Sequence, residues 1–139
     1  MTTLREQLII DEGKKKSAYQ DSEGYWTIGV GRLIDAKLGG GLSEEEIQYL
    51  LTNDIYSKTQ DCKKLFPKFS EFGLPQQDAL VMLMFNVGLP KISGYKTFVA
   101  QVNAQDWVGV QENLRSWAKW RAQVGARADR IIALIGAAK

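Results

Sequence analysis

Histidine is absent from this 139-residue chain, and cysteine occurs once. The first absence removes the commonest general base and the commonest metal ligand. The second leaves no intrachain disulfide and no cysteine cluster for zinc or an iron–sulfur centre. Cys62, a thiol with no imidazole to activate it, reads as structural or incidental. No GxGxxG or Walker-type loop is present, and Gly39-Gly40-Gly41 lacks both the following lysine and the preceding strand, so it reads as a flexible connection. No apolar run approaches membrane-spanning length, and the N-terminal MTTLREQLIIDEG is too acidic and too short in its apolar part for a secretory signal. The net charge of +2 and the lack of a recognised motif give nucleic-acid binding little support. No cofactor and no metal are expected. What remains for acid–base chemistry is carboxylates.

Glu12 and Asp21 both stand in EGKKKSAYQDSEGYWTIGVGR, residues 12–32. Thr3-Leu4-Arg5-Glu6 is a capping box, Leu4, Leu8 and Ile9 form an apolar stripe, and Gly13 suits a helix end, so a helix is expected over Thr3–Glu12. Glu12 then lies in the last turn, where the partial negative charge of the helix end favours the protonated acid; partial burial would act in the same direction. Ser17–Asp21 is expected to be an exposed strand, Ser22-Glu23-Gly24 a hairpin turn, and Tyr25–Gly31 a second strand. On that strand Trp26, Ile28 and Val30 share a packing face, while Thr27, Gly29 and Gly31 make a nearly bare one, suited to close approach of something large. Asp21, beside a turn, should stay ionised. An acid and a base in unlike environments suit cleavage of a glycosidic bond, with Thr27 orienting the attacking water. The plainer reading leaves Asp21 as a turn cap and Thr27 as an ordinary strand residue.

The segment IIDEGKKKSAYQDSEGYWTIGVGRLID resembles the N-terminal signature of the phage-type lysozymes, the family that includes the bacteriophage T4 enzyme. Its elements are an Asp-Glu-Gly helix end, a Tyr, an Asp-x-x-Gly turn and a Tyr/Trp-Thr-Ile-Gly-x-Gly strand. MFNVG at Met84–Gly88 is similar to that family's helix ending beside the cleft, and Arg127–Ile131 to its terminal Arg-x-x-Arg helix. The resemblance implies Glu12 as general acid, Asp21 as the base activating water held with Thr27, and substrate contacts at Gly29, Gly31, Leu33, Phe85, Asn86 and Arg127. It also implies an ion pair between Arg127 and Glu12. The family commonly has His where this chain has Arg32, a position better regarded as ion-pairing than catalytic; Arg32 is therefore expected to form a pH-insensitive ion pair.

The fold expected is α+β and mainly helical, a lysozyme-like two-lobed single domain with a small antiparallel sheet near the N-terminus. Its β-containing lobe would span about residues 13–60, and its helical lobe residues 61–139 plus the first helix. Ser43–Glu46 is a second capping box opening a helix of four or five turns through Ile47, Leu50, Leu51 and Ile55. A short helix is expected over Pro67–Phe72. Pro75 opens Gln76–Val87, apolar on every side through Ala79–Phe85 and so buried all round, with Met82 and Met84 as core filler and Asn86 near an end that can face a cleft. Further helices are expected carrying Phe98, Val99 and Val102, from Trp107 to about Lys119 with Asp106 as N-cap, and from Gly125 to about Leu134. Trp107, Trp117 and Trp120 read more readily as core than as sugar platforms.

Asn113–Lys139 holds six cations, Arg115, Lys119, Arg121, Arg127, Arg130 and Lys139, against Asp129 alone. Such a face either steers the protein to an anionic envelope or is simply a solvated helix surface. The resemblance implies an endolysin-type muramidase acting on peptidoglycan strands with inversion, which needs carboxyls about 6.5–9.5 Å apart. It is expected to be a monomer without stable membrane insertion, held in the host cytoplasm until a holin releases it to the periplasmic wall. A lytic transglycosylase, which needs only the acid, and a non-catalytic wall-binding module are the alternatives.

Overall fold

The computed structural model describes residues 1–138. They form α1 (Leu4–Glu12), β1 (Lys15–Gln20), β2 (Trp26–Gly29), β3 (Arg32–Leu33), α2 (Glu44–Leu65), α3 (Leu74–Val87), α4 (Leu89–Gly94), α5 (Lys96–Asn103), α6 (Trp107–Arg115), α7 (Ala118–Val124) and α8 (Ala126–Ile135). The expected α+β class is what is observed: a largely helical chain with one small antiparallel sheet near its start. Two compact units are present, Met1–Leu50 and the remainder from Leu51, with α2 beginning in the first and continuing into the second.

In the first unit local sequence decides most of the structure. Thr3 Oγ1 accepts from the Glu6 amide while Glu6 Oε2 accepts from the Thr3 amide, closing the capping box that starts α1. Gly13 ends it, its amide returning to the Ile9 carbonyl. The three strands run in the order β1-β2-β3, with Tyr19 opposite Thr27 and Thr27 opposite Leu33, and a bulge interrupts β1 between Lys15 and Tyr19. The second strand is shorter than its composition predicts. Gly29 and Gly31 both take positive φ, 68° and 66°, so the chain turns there and returns as β3, and Val30 sits in the turn instead of on the packing face.

That packing face is not covered. Trp26 and Val30 are exposed and Ile28 is half-buried, as no helix of this unit packs broadly across the sheet. The Leu4–Leu8 stripe of α1 is exposed too. Thr27 is the one buried residue among residues 1–50, so this unit is held by backbone pairing and polar side-chain contacts more than by an apolar core. Gly39–Gly41 is tied down, against the expectation of a flexible connection: the Gly40 amide donates to the Asp35 carbonyl and the Gly41 amide to the Leu33 carbonyl, both at 3.0 Å. A Cβ at Gly40 would run into the Leu33 carbonyl, so only glycine lets this loop lie on β3.

The second unit has a true core. Phe66, Leu80, Leu83, Met84, Phe98, Leu114, Ile131 and Ile135 are almost wholly inaccessible and pack as one cluster, with α3 lying chiefly on α8. Cys62 belongs to this cluster; burial, then neighbouring Asp61, pushes its thiol up to about 12, which fits the structural reading. The α2 helix is 22 residues long, longer than expected, because Cys62 extends the helical apolar spacing past Ile55 into the core. The stretch Pro67–Phe72 holds a single 3-10 turn, Phe69–Glu71. Asp106 caps α6 as expected, its carboxylate accepting from the Gly109 amide. The expected Trp107–Lys119 helix is broken at Ser116 and Trp117, giving α6 and α7, because the Ser116 hydroxyl returns to the Asn113 carbonyl.

Helix α3 is not buried all round. Ala79, Leu80, Leu83 and Met84 face the core, whereas Val81 and Met82 are half-buried and Phe85 and Asn86 exposed. Buried Gln76 at its start was legible only as a helix former, yet its Nε2 donates to the Ile135 and Ala137 carbonyls at 2.9 and 2.7 Å, closing the end of α8. Gln76→Leu leaves those carbonyls without a donor. Chemical denaturation should show it about 1–3 kcal/mol less stable than the native chain; an unchanged midpoint would mean that water replaces the amide.

Candidate active site

Glu12, Asp21, Thr27, Gly29, Gly31 and Leu33 all lie in the first unit, and Phe85, Asn86 and Arg127 in the second. Glu12 is the last residue of α1, and its carboxyl rests against the α-carbon of Gly31. A Cβ built at Gly31 would stand 2.8 Å from Glu12 Oε2 and 3.2 Å from Glu12 Cβ. Glycine is favoured here by the positive φ, and a larger residue would also push the Glu12 side chain aside. The partial burial expected of Glu12 is not found, since its side chain is exposed while Asp21 is half-buried. The reason is local: Glu12 meets only backbone on its Gly31 side, whereas Asp21 is folded into its own turn.

That turn is built by the Asp21 carboxylate. Its Oδ1 accepts the Glu23 and Tyr25 amides, both at 2.9 Å, while Asp21's own amide and carbonyl bond to the Tyr25 carbonyl and the Gly24 amide. Both side-chain contacts go to Oδ1, which fixes the orientation of the carboxylate. Thr27, only 3% exposed, donates its hydroxyl proton to the Tyr25 carbonyl at 3.0 Å. With that proton committed, the Thr27 oxygen has lone pairs left to accept from a water molecule. The Tyr25 peptide thus joins the two groups, its amide on Asp21 and its carbonyl on Thr27. Tyr25 was not among the residues expected at the site, because a backbone bridge leaves no mark on residue identity.

Arg32 forms an ion pair as expected, and its partner is Glu46, Nη1 to Oε2 at 2.9 Å; the pair is insensitive to pH only above the range where Glu46 titrates. The same Nη1 donates to Glu46 Oε1 and to the Gly41 carbonyl, each at 2.9 Å. The bond from Arg32, followed by the Ser43 amide and hydroxyl, holds the Glu46 carboxyl down at about 2, and the guanidinium is raised in turn. Because the Glu46 value in the folded chain lies below its ordinary 4.5, the stability it contributes is fully present above that value and lost as pH falls toward about 2. The stability gap between the native chain and Glu46→Gln should therefore stay constant from neutral pH to about pH 5 and close below it, by urea denaturation at graded pH. Both groups are largely exposed, so added salt should narrow the gap as well. A gap that widens on acidification would contradict this assignment.

In the second unit Phe85, Asn86 and Arg127 line one groove of about 590 Å³ together with Met82, Val81 and Ile131. Met82 is thus groove wall, while Met84 is core as expected. Asn86 also borders a second cavity of about 430 Å³, beside Lys91, Tyr95, Trp117 and Lys119, and its Oδ1 lies 3.4 Å from Trp120 Nε1. An exposed ring, an amide and a guanidinium on one rim can stack on a sugar face and bond its hydroxyl and acetamido groups. Trp107 packs edge-on against Phe72, and Trp117 against Tyr95, Phe98 and Trp120, so these indoles are chiefly packing groups. The basic C-terminal face is partly neutralised, Arg121 reaching Asp129 at 3.5 Å and the Arg115 carbonyl at 3.2 Å.

A family model described as phage lysozyme matches residues 10–130. Among relatives, a protein named "Probable T4-type lysozyme 1" from Dictyostelium discoideum is 21% identical over 97% of this chain and 94% of its own length. The endolysin of Acyrthosiphon pisum secondary endosymbiont phage 1 is 27% identical, covering 78% of this chain and 72% of its own. The pre-baseplate central spike protein Gp5 of Enterobacteria phage T4 is also 27% identical, over 96% of this chain but only 27% of the spike protein.

One local prediction follows from the Glu12–Gly31 contact. Gly31→Ala must either abandon its positive φ or displace the Glu12 carboxyl, and should lower stability by about 1–2 kcal/mol in chemical denaturation. A variant as stable as the native chain would show that the contact constrains nothing.

Proposed function

Because the chain belongs to the phage lysozyme family, we propose that it is an endolysin-type muramidase that hydrolyses the β-1,4 bond between N-acetylmuramic acid and N-acetylglucosamine with inversion. Membership makes it a lysozyme-type cell-wall hydrolase, a glycosidase whose substrate is peptidoglycan. The finer assignment concerns residues. Glu12 gives its proton to the glycosidic oxygen, the bond from the sugar's anomeric carbon to that oxygen breaks with the electron pair going to oxygen, and a water molecule attacks the same carbon. Asp21 takes the proton that this water sheds, and Thr27 orients it.

The relay through Tyr25 carries this reading. A carboxylate fixed through one oxygen, beside a buried hydroxyl whose own proton is already given away, is suited to accept both hydrogens of one water and aim its lone pair outward. Gly29, Gly31 and Leu33 supply the thin wall beside it, and Phe85, Asn86 and Arg127 are assigned to contacts with the glycan. In this reading the enzyme acts as a monomer and waits in the host cytoplasm until a holin gives it access to the periplasmic wall.

Glu12→Gln should lower turnover on purified peptidoglycan by about 10²–10⁴-fold with its circular dichroism unchanged. Asp21→Asn should cost a comparable factor. Near-normal activity in the first variant would overturn the acid; near-normal activity in the second, with 1,6-anhydro ends among the products, would replace hydrolysis by a transglycosylase reaction.

A further inference from the structure

We propose that Arg32 is a positioning residue for Glu12: its guanidinium fastens three chain segments at one point and thereby fixes the wall on which the acid rests. The inference rests on the assignment of Glu12 as general acid given above.

Three observations support it. First, β3 is only two residues long and pairs with β2 at Thr27–Leu33 and Ile28–Arg32, so the backbone ladder alone holds it weakly. Second, the Arg32 side chain leaves this short strand and donates to the Gly41 carbonyl, nine residues on, and to Glu46, fourteen on. Glu46 is itself fixed, since its Oε1 accepts the Ser43 amide at 2.9 Å and its own amide donates to Ser43 Oγ at 3.2 Å, the capping box that starts α2. The glycine loop is bound to β3 independently through the Gly41 amide and the Leu33 carbonyl. One guanidinium therefore joins β3, the glycine loop and the first turn of α2.

Third, the residue before Arg32 is Gly31, whose α-carbon leaves no room beside the Glu12 carboxyl for even a methyl group. Glu12 comes from another element, α1, and is exposed, with Gly31 close against its carboxyl, so a shift of Gly31 changes the space that carboxyl can occupy. Releasing Arg32 frees β3 to shift and gives the Glu12 side chain rotamers that no longer aim its proton. An error of this kind falls chiefly on the chemical step, because Phe85, Asn86 and Arg127, assigned to hold the glycan, lie on α3 and α8 and keep their places. Pairing with Glu46 also spends the guanidinium charge on a carboxylate other than Glu12.

The test measures kcat, KM and thermal unfolding for Arg32→Gln, Arg32→Lys and Glu46→Gln on purified soluble glycan strands. Arg32→Gln should lose about 10- to 100-fold in kcat with KM within about two-fold of native and the chain still folded at the assay temperature. Arg32→Lys, which keeps the charge and several donors without the planar fork, should recover part of that loss. Glu46→Gln weakens the same fastening from the other side, removing the charge and the Oε2 contact while keeping Oε1 for the Ser43 amide, and decides the matter if Arg32→Gln fails to fold. A kcat within two-fold of native in both glutamine variants, a change confined to KM, or a loss matching the fraction unfolded would overturn the proposal. If Glu12→Gln is inactive while these variants are fully active, the positioning role falls and the acid stands; if Glu12→Gln is active, the acid itself falls.

Discussion

The placement of one carboxyl group against one α-carbon organises the first fifty residues. Glu12 must end a helix to be delivered there, Gly31 must carry no side chain, and the chain must turn at Gly29–Gly31 so that a strand can return behind it. Each requirement is a backbone requirement, met by a capping box, by glycines, and by hydrogen bonds between neighbouring segments. With Thr27 as its one buried residue, this unit uses little of the apolar burial that stabilises most small domains. Precision here comes from polar contacts, which are directional and therefore suited to hold reacting groups.

The second unit follows the opposite rule. Its core of phenylalanine, leucine and isoleucine side chains closes around α3 and α8, and among the described residues Gln76 is the one buried polar side chain in it, spent on the end of α8. The face of α3 turned from that core carries Met82, Phe85 and Asn86 along a groove. A single helix thus serves as the centre of a fold on one side and the wall of a groove on the other.

Much of this was legible in the residues. The capping boxes at Thr3 and Ser43, the turn at Asp21–Gly24, the N-cap at Asp106 and the stop at Gly88 are short-range signals, read correctly because the groups that satisfy each other lie within four residues. The lone Cys62 was read as structural and is core. What failed was long-range. The 14-residue reach from Arg32 to Glu46 could not be seen, although an ion pair at Arg32 was expected, and Glu46 was read only as helix chemistry. Gly39–Gly41 read as loose because glycine permits many conformations; here it permits the one in which backbone meets backbone. The apolar run in α3 read as buried on every side because composition alone does not say which face meets the core. Of the proposed site, residue types and spacing suggested Glu12, Asp21 and Thr27, while the Tyr25 peptide that links the last two carries no side-chain signature at all.

The account stands on water, aimed by Asp21 and Thr27, arriving at the sugar from the face opposite the departing oxygen. Proton NMR of the first products from a soluble peptidoglycan strand, recorded before the anomers equilibrate, observes that directly. Inversion at a β-linked sugar predicts that new reducing ends appear first as the α-anomer. Initial formation of the β-anomer, or of ends with no reducing anomer, would contradict it.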